Sequence, residues 1–185
     1  ITISVIVPAR NEEANLERCL DALTALHYPE KQLEIIVAND HSTDATPSII
    51  SAYAARYSHV HHLDVPDPVN GLKGKPHAVH EAIQHSKGDV ILMTDADCAP
   101  NPEWAWRMAD YFQDSDAGIV CGLTHRVHSE RVSRIQAVDW MLLQTFSAGF
   151  SNVGIPVTAM GNNLVIRRSL YEEVGGFPVL PFSVT

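Results

Sequence analysis

A chain of 185 residues with 45% hydrophobic and 19% charged side chains has ordinary globular composition and room for one domain with a buried core. Its formal net charge of −9 excludes a binder that meets nucleic acid through a basic surface. The same charge makes a bare phosphate ligand unfavourable unless a cation bridges it to the protein. Cys19, Cys98 and Cys121 are odd in number and lack metal-ligand spacing, so they read as reduced thiols in a reducing compartment. No signal peptide is present, and Ile1 opens directly on an apolar run, as expected of a piece excised from a longer protein.

In chain order, residues 1–8 (ITISVIVP) predict a first strand. Residues 11–26 predict a helix, with Leu16, Cys19, Leu20, Leu23 and Leu26 at helical spacing and Glu12 and Glu13 in its first turn. Residues 33–38 (LEIIVA) predict a second strand, followed by the polar run 39–44 (NDHSTD). Ser42 or Thr43 is expected to cap a helix reaching Tyr57, with Pro47 in its first turn. A short strand follows at 60–64, then a loop rich in Pro and Gly at 65–75. A helix runs from Pro76 to Ser86 with Val79, Ala82 and Ile83 inward.

Residues 89–94 predict a strand buried on both faces, since a continuous apolar run turns abruptly polar at Thr94-Asp95-Ala96-Asp97. A helix at 102–113, a strand at 118–123 and a long helix at 132–150 come next. A late strand at 164–167 and a short helix at 169–174 complete the pattern. Ser169 and Glu172 are expected to form a capping box for that last helix, with Gly175 at its end. Strands alternating with helices imply an α/β fold with a mostly parallel sheet. The stretch 140–166 carries no charge but is interrupted by polar residues and Pro156, which suits a buried or interfacial helix better than a membrane span.

Three polar loops, 9–13, 39–44 and 95–100, each follow a strand. In a parallel sheet they share one edge, where ligands of open α/β sheets bind. Two residues apart in an extended segment, Asp95 and Asp97 are expected to face one ligand. Two convergent carboxylates suit a hard cation, Mg²⁺ or Mn²⁺, completed by water and phosphate oxygens. No glycine-rich dinucleotide fingerprint or Walker loop occurs, so a diphosphate must be held by metal and lysine. Lys73 and Lys75, just before a helix N-terminus, are the natural candidates.

These motifs, in this order, resemble the inverting nucleotide-sugar glycosyltransferases of family 2, which have the GT-A fold. The matching residues are 5–13 (VIVPARNEE), 39–44 (NDHSTD), Gly74-Lys75 and Asp95-Ala96-Asp97, with 161–168 (GNNLVIRR) and Val174-Gly175-Gly176-Phe177 on the acceptor side. The resemblance implies a Rossmann-like three-layer fold. Residues 1–123 would form a nucleotide-sugar-binding half and residues 124–185 an acceptor-side half. It implies that Pro8, Ala9 and Glu12 contact the nucleoside and that Asp40 reads the base, typically uracil. Lys75 would lie near the diphosphate or sugar, and Asp95 and Asp97 would be the metal-binding DxD pair, with Asp95 also on the donor. The donor would be a nucleoside diphosphate sugar, expected to be UDP-linked. The acceptor would be a saccharide or a lipid-linked hydroxyl, reached in the cytoplasm or at the cytoplasmic face of a membrane. His41 departs from the family's usual Gly and Pro76 from a commoner small residue.

In such enzymes the general base is an acid soon after the segment matching Val174–Phe177. The sequence holds no carboxylate after Glu173, so the base is expected beyond Thr185. Two alternatives stand beside this reading. One is a phosphotransferase or phosphohydrolase with Asp95 as nucleophile and Asp97 as acid/base. The other is a sugar-nucleotide binding module without catalysis. The histidines, including His59, His77 and His80, read as solvated or core residues, and Trp104, Trp106 and Trp140 as packing.

Overall fold

The structure is a computed structural model. It describes residues 1–68, 72–113, 116–125, 131–155 and 160–177, except the side chains of 131–136 and 152. The centre of the loop expected at 65–75, residues 156–159 and the tail from 178 lie outside the described residues.

Among the described residues, six strands form one sheet: β1 (Ile3–Ala9), β2 (Leu33–Asn39), β3 (Val60–Asp64), β4 (Val90–Thr94), β5 (Ile119–Cys121) and β6 (Asn163–Arg167). Their order is β3-β2-β1-β4-β6-β5. The first four are parallel, while β6 runs antiparallel to both β4 and β5. Strands β1, β2 and β4 are almost wholly buried, as their unbroken apolar runs require.

Alternate residues of these strands feed two cores. Val5, Val7, Ile35, Val37 and Leu92 pack with α1 (Leu16–Thr24), α2 (Thr46–Arg56) and α4 (Trp104–Asp110). Ile6, Ile36, Ile91 and Met93 pack with α3 (Lys75–His85) and α6 (Arg168–Glu173) on the opposite face. The result is the expected three-layer α/β arrangement.

The expected elements are present, but several of their ends differ. Helix α1 starts at Leu16 rather than residue 11, because Asn11 sits at φ 55°, outside the helical region. Its first turn therefore holds Glu17, not Glu12 and Glu13. Neither Ser42 nor Thr43 caps α2; the Asp44 carboxylate accepts the Thr46 amide at 2.9 Å instead. The capping box at Ser169 does not form, because α6 begins one residue earlier and Ser169 lies inside its first turn without a side-chain cap bond.

Of the two settings expected for the uncharged stretch, buried or interfacial, helix α5 (Arg131–Asn152) does not take the buried one. Val138, Met141, Leu142, Leu143, Phe146 and Phe150 are all exposed. The helix is tied to the body through buried Gln144. Its amide accepts from the Thr124 N–H at 2.7 Å and donates to the Thr124 carbonyl at 2.9 Å. Among the described residues, no helix is long and apolar enough to cross a membrane. Of the tryptophans, Trp104 is core, whereas Trp106 is exposed and only tilts against Tyr28. His59 and His77 are buried, and the three cysteines are free.

Candidate active site

Strand β1 lies between β2 and β4, so the chain winds one way from β1 to β3 and then returns across β1 to β4. That reversal opens a crevice at the carboxyl ends of β1 and β4. A cleft of about 280 Å³ occupies it. Its walls are Pro8 and Ala9 at the end of β1, Arg10 and Glu12 after it, and Asp40 after β2. Gly74, Lys75 and Ala78 close it at the start of α3, and Asp95 to Asp97 after β4. Every residue expected to bind donor or metal lines this cleft except Lys73. Lys73 is exposed and does not line it.

The first two loops hold each other in place. The Asn11 amide donates to Ser42 Oγ at 3.0 Å, and Asn11 Oδ1 accepts the Thr43 N–H at 2.8 Å. The Glu12 amide donates to Thr46 Oγ1 at 2.8 Å. Glu13 Oε2 accepts the Ala45 N–H at 2.9 Å, while the Glu13 amide donates to Asp44 Oδ2. These bonds satisfy the backbone donors at the start of α2 and fix the distance between β1 and β2. They also divide one polar motif into two jobs: Asn11, Glu13, Ser42, Thr43 and Asp44 build the wall, and Pro8, Ala9, Arg10, Glu12 and Asp40 are left facing the cleft.

Asp95 and Asp97 do not converge by strand alternation. The Cys98 amide donates to the Asp95 carbonyl at 3.0 Å, so residues 95–98 form a tight turn. The turn is fastened from behind by Arg18, whose guanidinium donates to the Asp97 carbonyl at 2.5 Å. Ala96 is buried beneath it, Asp95 is half-buried and Asp97 is exposed. Lys75 Nζ meets Asp95 Oδ1 at 2.5 Å. The lysine stands at the first position of α3, after Gly74 with φ 62° and ψ −148°, a backbone conformation that strongly favours glycine. An ammonium, a helix N-terminus and two carboxylates thus meet at one end of the cleft.

A second, larger cavity of about 700 Å³ lies on the other side of the same turn. Asp95 and Asp97 line both cavities. The second is closed by Trp104, Leu123, Thr124, His125, Trp140, Asn162 and Asn163. Asn163 knits its walls together: its Oδ1 accepts from Trp104 Nε1 at 2.9 Å and its Nδ2 donates to the Leu123 carbonyl at 3.1 Å. Among the described residues, Thr124 Oγ1, Trp140 Nε1 and Asn162 Oδ1 are buried and have no hydrogen-bond partner. Sequence reasoning passed over Arg10, Thr124 and His125. Arg10 lies inside a motif already singled out, but nothing local marks the other two.

The donor set at the turn suits a hard divalent cation. It offers oxygen ligands only, and no third His, Cys, Asp or Glu joins them among the described residues. Mg²⁺ and Mn²⁺ accept so few protein ligands because water and phosphate complete their shells, whereas zinc needs a fuller nitrogen or sulfur set.

Comparison with known proteins agrees with this geometry. The chain is 33% identical to the "Probable glycosyltransferase YdaM" of Bacillus subtilis over 95% of its own length and 42% of that protein's. It is 30% identical to a beta-monoglucosyldiacylglycerol synthase of Nostoc, covering 95% of this chain and 37% of that one. The chain therefore spans less than half the length of these relatives. Among solved structures, a mannosyltransferase of Pyrobaculum calidifontis in complex with GDP-Man and Mn²⁺ superposes with a TM-score of 0.71 and 27% identity. That match covers 95% of this chain and 47% of the other. The family model described as "Glycosyl transferase family 2" matches residues 4–175. With that match running from β1 through α6 and both cavities inside it, the chain belongs to glycosyl transferase family 2.

Proposed function

We propose that the chain carries the donor site of a metal-dependent inverting glycosyltransferase, which moves a sugar from a UDP-linked donor to an acceptor hydroxyl. The observation that carries this reading is the turn of Asp95 and Asp97 standing between two cavities. A leaving diphosphate in one and an attacking hydroxyl in the other would meet across it. Residues 1–123 supply all of the first cavity and share the second with Thr124, His125, Trp140, Asn162 and Asn163, so only the second draws on the proposed acceptor half.

In this reading Asp40 accepts an N–H of the base, and Pro8, Ala9 and Glu12 hold the nucleoside. Lys75 and the N-terminus of α3 neutralise the diphosphate. Asp95 and Asp97 hold Mg²⁺ or Mn²⁺, which when bound stabilises the charge on the departing diphosphate. Mn²⁺ accompanies GDP-Man in the Pyrobaculum structure, and the Nostoc relative is named for a glycolipid product. A lipid acceptor follows the second precedent, and a saccharide acceptor and the cytoplasmic face of a membrane are proposed beside it. Among the described residues, Asp95 and Asp97 are the carboxylates lining the second cavity; Asp139, Glu172 and Glu173 are exposed elsewhere. The general base is proposed to lie outside these residues.

The test is a titration of nucleotides and nucleotide sugars with and without Mn²⁺. Asp97→Ala is expected to abolish the metal-dependent part of UDP binding and leave the fold intact. Equal UDP affinity in parent and variant with Mn²⁺ present refutes the metal assignment. Donor turnover by a longer chain, and not by residues 1–185, is the expected result for the base. Capture of beryllofluoride on Asp95 would favour the phosphotransfer alternative instead.

A further inference from the structure

Two fixed pieces of backbone meet at one end of the donor cleft. Lys75 takes the first position of α3, whose Ala78, Val79, Ala82 and Ile83 are buried. The Gly74 carbonyl accepts the His77 and Ala78 amides at 3.0 and 3.1 Å, which closes the first turn and fixes the backbone of Lys75. Asp95 is held by the turn after β4, and its carbonyl also accepts from the buried Cys19 thiol at 3.6 Å. The long lysine stem spans the gap between them and can pivot. It brings Nζ to 2.5 Å from Asp95 Oδ1, with the lysine side chain 50% exposed and the aspartate 31%. Among the described residues Arg10 is the other cation lining the cleft, and its guanidinium turns instead to Asp40, 3.5 Å from Oδ2. The Lys75 ammonium thus stands on one of the two carboxylates that suit a divalent cation.

We infer that Lys75 guards Asp95: its ammonium competes with the divalent cation for this carboxylate and is drawn off by a diphosphate, so that the nucleotide itself raises the affinity of the site for metal. The inference rests on the reading of this cleft as a nucleotide-donor site. The competition is one of charge, not of lone pairs. Asp95 keeps oxygen lone pairs beside the lysine, but a unit positive charge about 4 Å from a divalent ion repels it by about three times RT even at the dielectric constant of water. The lysine escapes that repulsion by swinging into water, and then its ion pair is lost. The strength of the pair therefore sets the strength of the guard. For partners this exposed it corresponds to a factor of about three to five in affinity. A diphosphate changes the balance, because its oxygens give the ammonium a second anion to bond. Lys75 then leaves Asp95 at little net loss. Such coupling is reciprocal: UDP strengthens Mn²⁺ binding by the factor by which Mn²⁺ strengthens UDP binding.

The experiment follows Mn²⁺ binding without nucleotide by loss of the free-ion electron paramagnetic resonance signal at low ionic strength. Calorimetry follows UDP binding in saturating Mn²⁺. The chain is compared with Lys75→Met, Lys75→Gln, Lys75→Arg and Lys73→Met, with circular dichroism to check the fold. Met and Gln keep a long stem and remove the charge. Both variants are expected to bind Mn²⁺ alone about three- to fivefold more tightly than the parent, and UDP with Mn²⁺ about tenfold more weakly. These opposite signs separate a guard from a lysine that only holds phosphate, whose loss would leave Mn²⁺ binding unchanged. Lys75→Arg keeps the charge and should bind Mn²⁺ alone as the parent does. Lys73→Met removes the same charge from an exposed position outside the cleft and should change neither affinity. Mn²⁺ binding by Lys75→Met and Lys75→Gln no tighter than by the parent overturns the inference and leaves the donor-site reading standing. Equal tightening in Lys73→Met also overturns it, since net charge alone would then account for the effect. Failure of the parent to bind UDP with Mn²⁺ present overturns the donor-site reading, and this inference with it.

Discussion

At the amino ends of β1, β2 and β4, polar side chains are consumed by one another. Ser4 Oγ donates to Glu34 Oε1 at 2.5 Å and accepts the Gly88 N–H at 2.7 Å. Asp89 Oδ2 accepts from both the amide and the hydroxyl of Thr2. Arg168 donates to the carbonyls of Gly88 and Ile83 and to Ser86 Oγ. At the carboxyl ends of the same strands, Asp40 and Asp95 meet exposed cationic side chains, and Asp97 faces solvent across two cavities. Carboxylates whose bonded oxygen serves N–H and O–H groups of the fold do not readily turn to a ligand. Carboxylates held by exchangeable lysine or arginine do. A ligand site on this sheet is marked by incomplete satisfaction, not by the presence of charge.

Substitutions at the two ends should separate stability from binding. The largest effect is expected at the closed end. A β-carbon on Gly88 would lie 2.5 Å from the Ser4 backbone nitrogen. Gly88→Val should therefore cost about 3 kcal/mol of stability, read as a lower urea midpoint, because backbone must move to admit it. A variant as stable as the parent would show that this end is looser than its hydrogen bonds imply.

At the open end the effect moves to the ligand. Asp40→Ala should lower UDP affinity by roughly 1.5–3 kcal/mol, the range for a hydrogen bond to a charged group, without changing the urea midpoint much. Binding of metal–pyrophosphate should barely change. Equal losses for both ligands would remove base reading from its role.

Asn163 sharpens the contrast, because it lines a cavity yet behaves as structure. Asn163→Ala leaves Trp104 Nε1 without a partner in a buried position. It should cost about 1–2 kcal/mol of stability, measured by thermal or urea unfolding, while UDP binding in the other cavity is unaffected. Loss of UDP binding at full stability would instead make Asn163 part of the donor site.

The smallest effect is a pH slope. Bonds from Thr2 hold the Asp89 carboxyl below its ordinary value. A depressed acid contributes stability that is present above the unfolded pKa, near 4, and lost as pH falls through the folded value. Asp89 is exposed, so screening keeps this under about 1 kcal/mol. Thr2→Val should flatten the acid limb by lowering stability slightly above about pH 4 and leaving it nearly unchanged at the lowest pH. An acid limb identical to the parent's would assign that slope to other carboxylates.

Much of this was legible in the residues themselves. Continuous apolar runs located β1, β2 and β4 to within a residue or so, because strands buried on both faces have no polar side chain to spare. Asp40, Asp95 and Asp97 could be placed at one edge because parallel strands end together. Three features needed the tertiary structure. The wall between β1 and β2 is made by partners more than thirty residues apart, such as Asn11 with Ser42 and Thr43. Those bonds outbid the local signals that would have begun α1 at residue 11 and capped α2 with Ser42 or Thr43. The insertion of β6 between β4 and β5 brings Asn162 and Asn163 beside Asp95, across a long stretch of intervening chain. The contacts of His41 at 3.0 Å and Arg10 at 3.5 Å with Asp40 depend on a left-handed residue and on loops from two strands. Local propensity acts over a few residues and sets which segments become strands and helices. The choice of which polar groups satisfy each other, and which are left for a ligand, is made only when distant segments compete for the same hydrogen bonds in the folded chain.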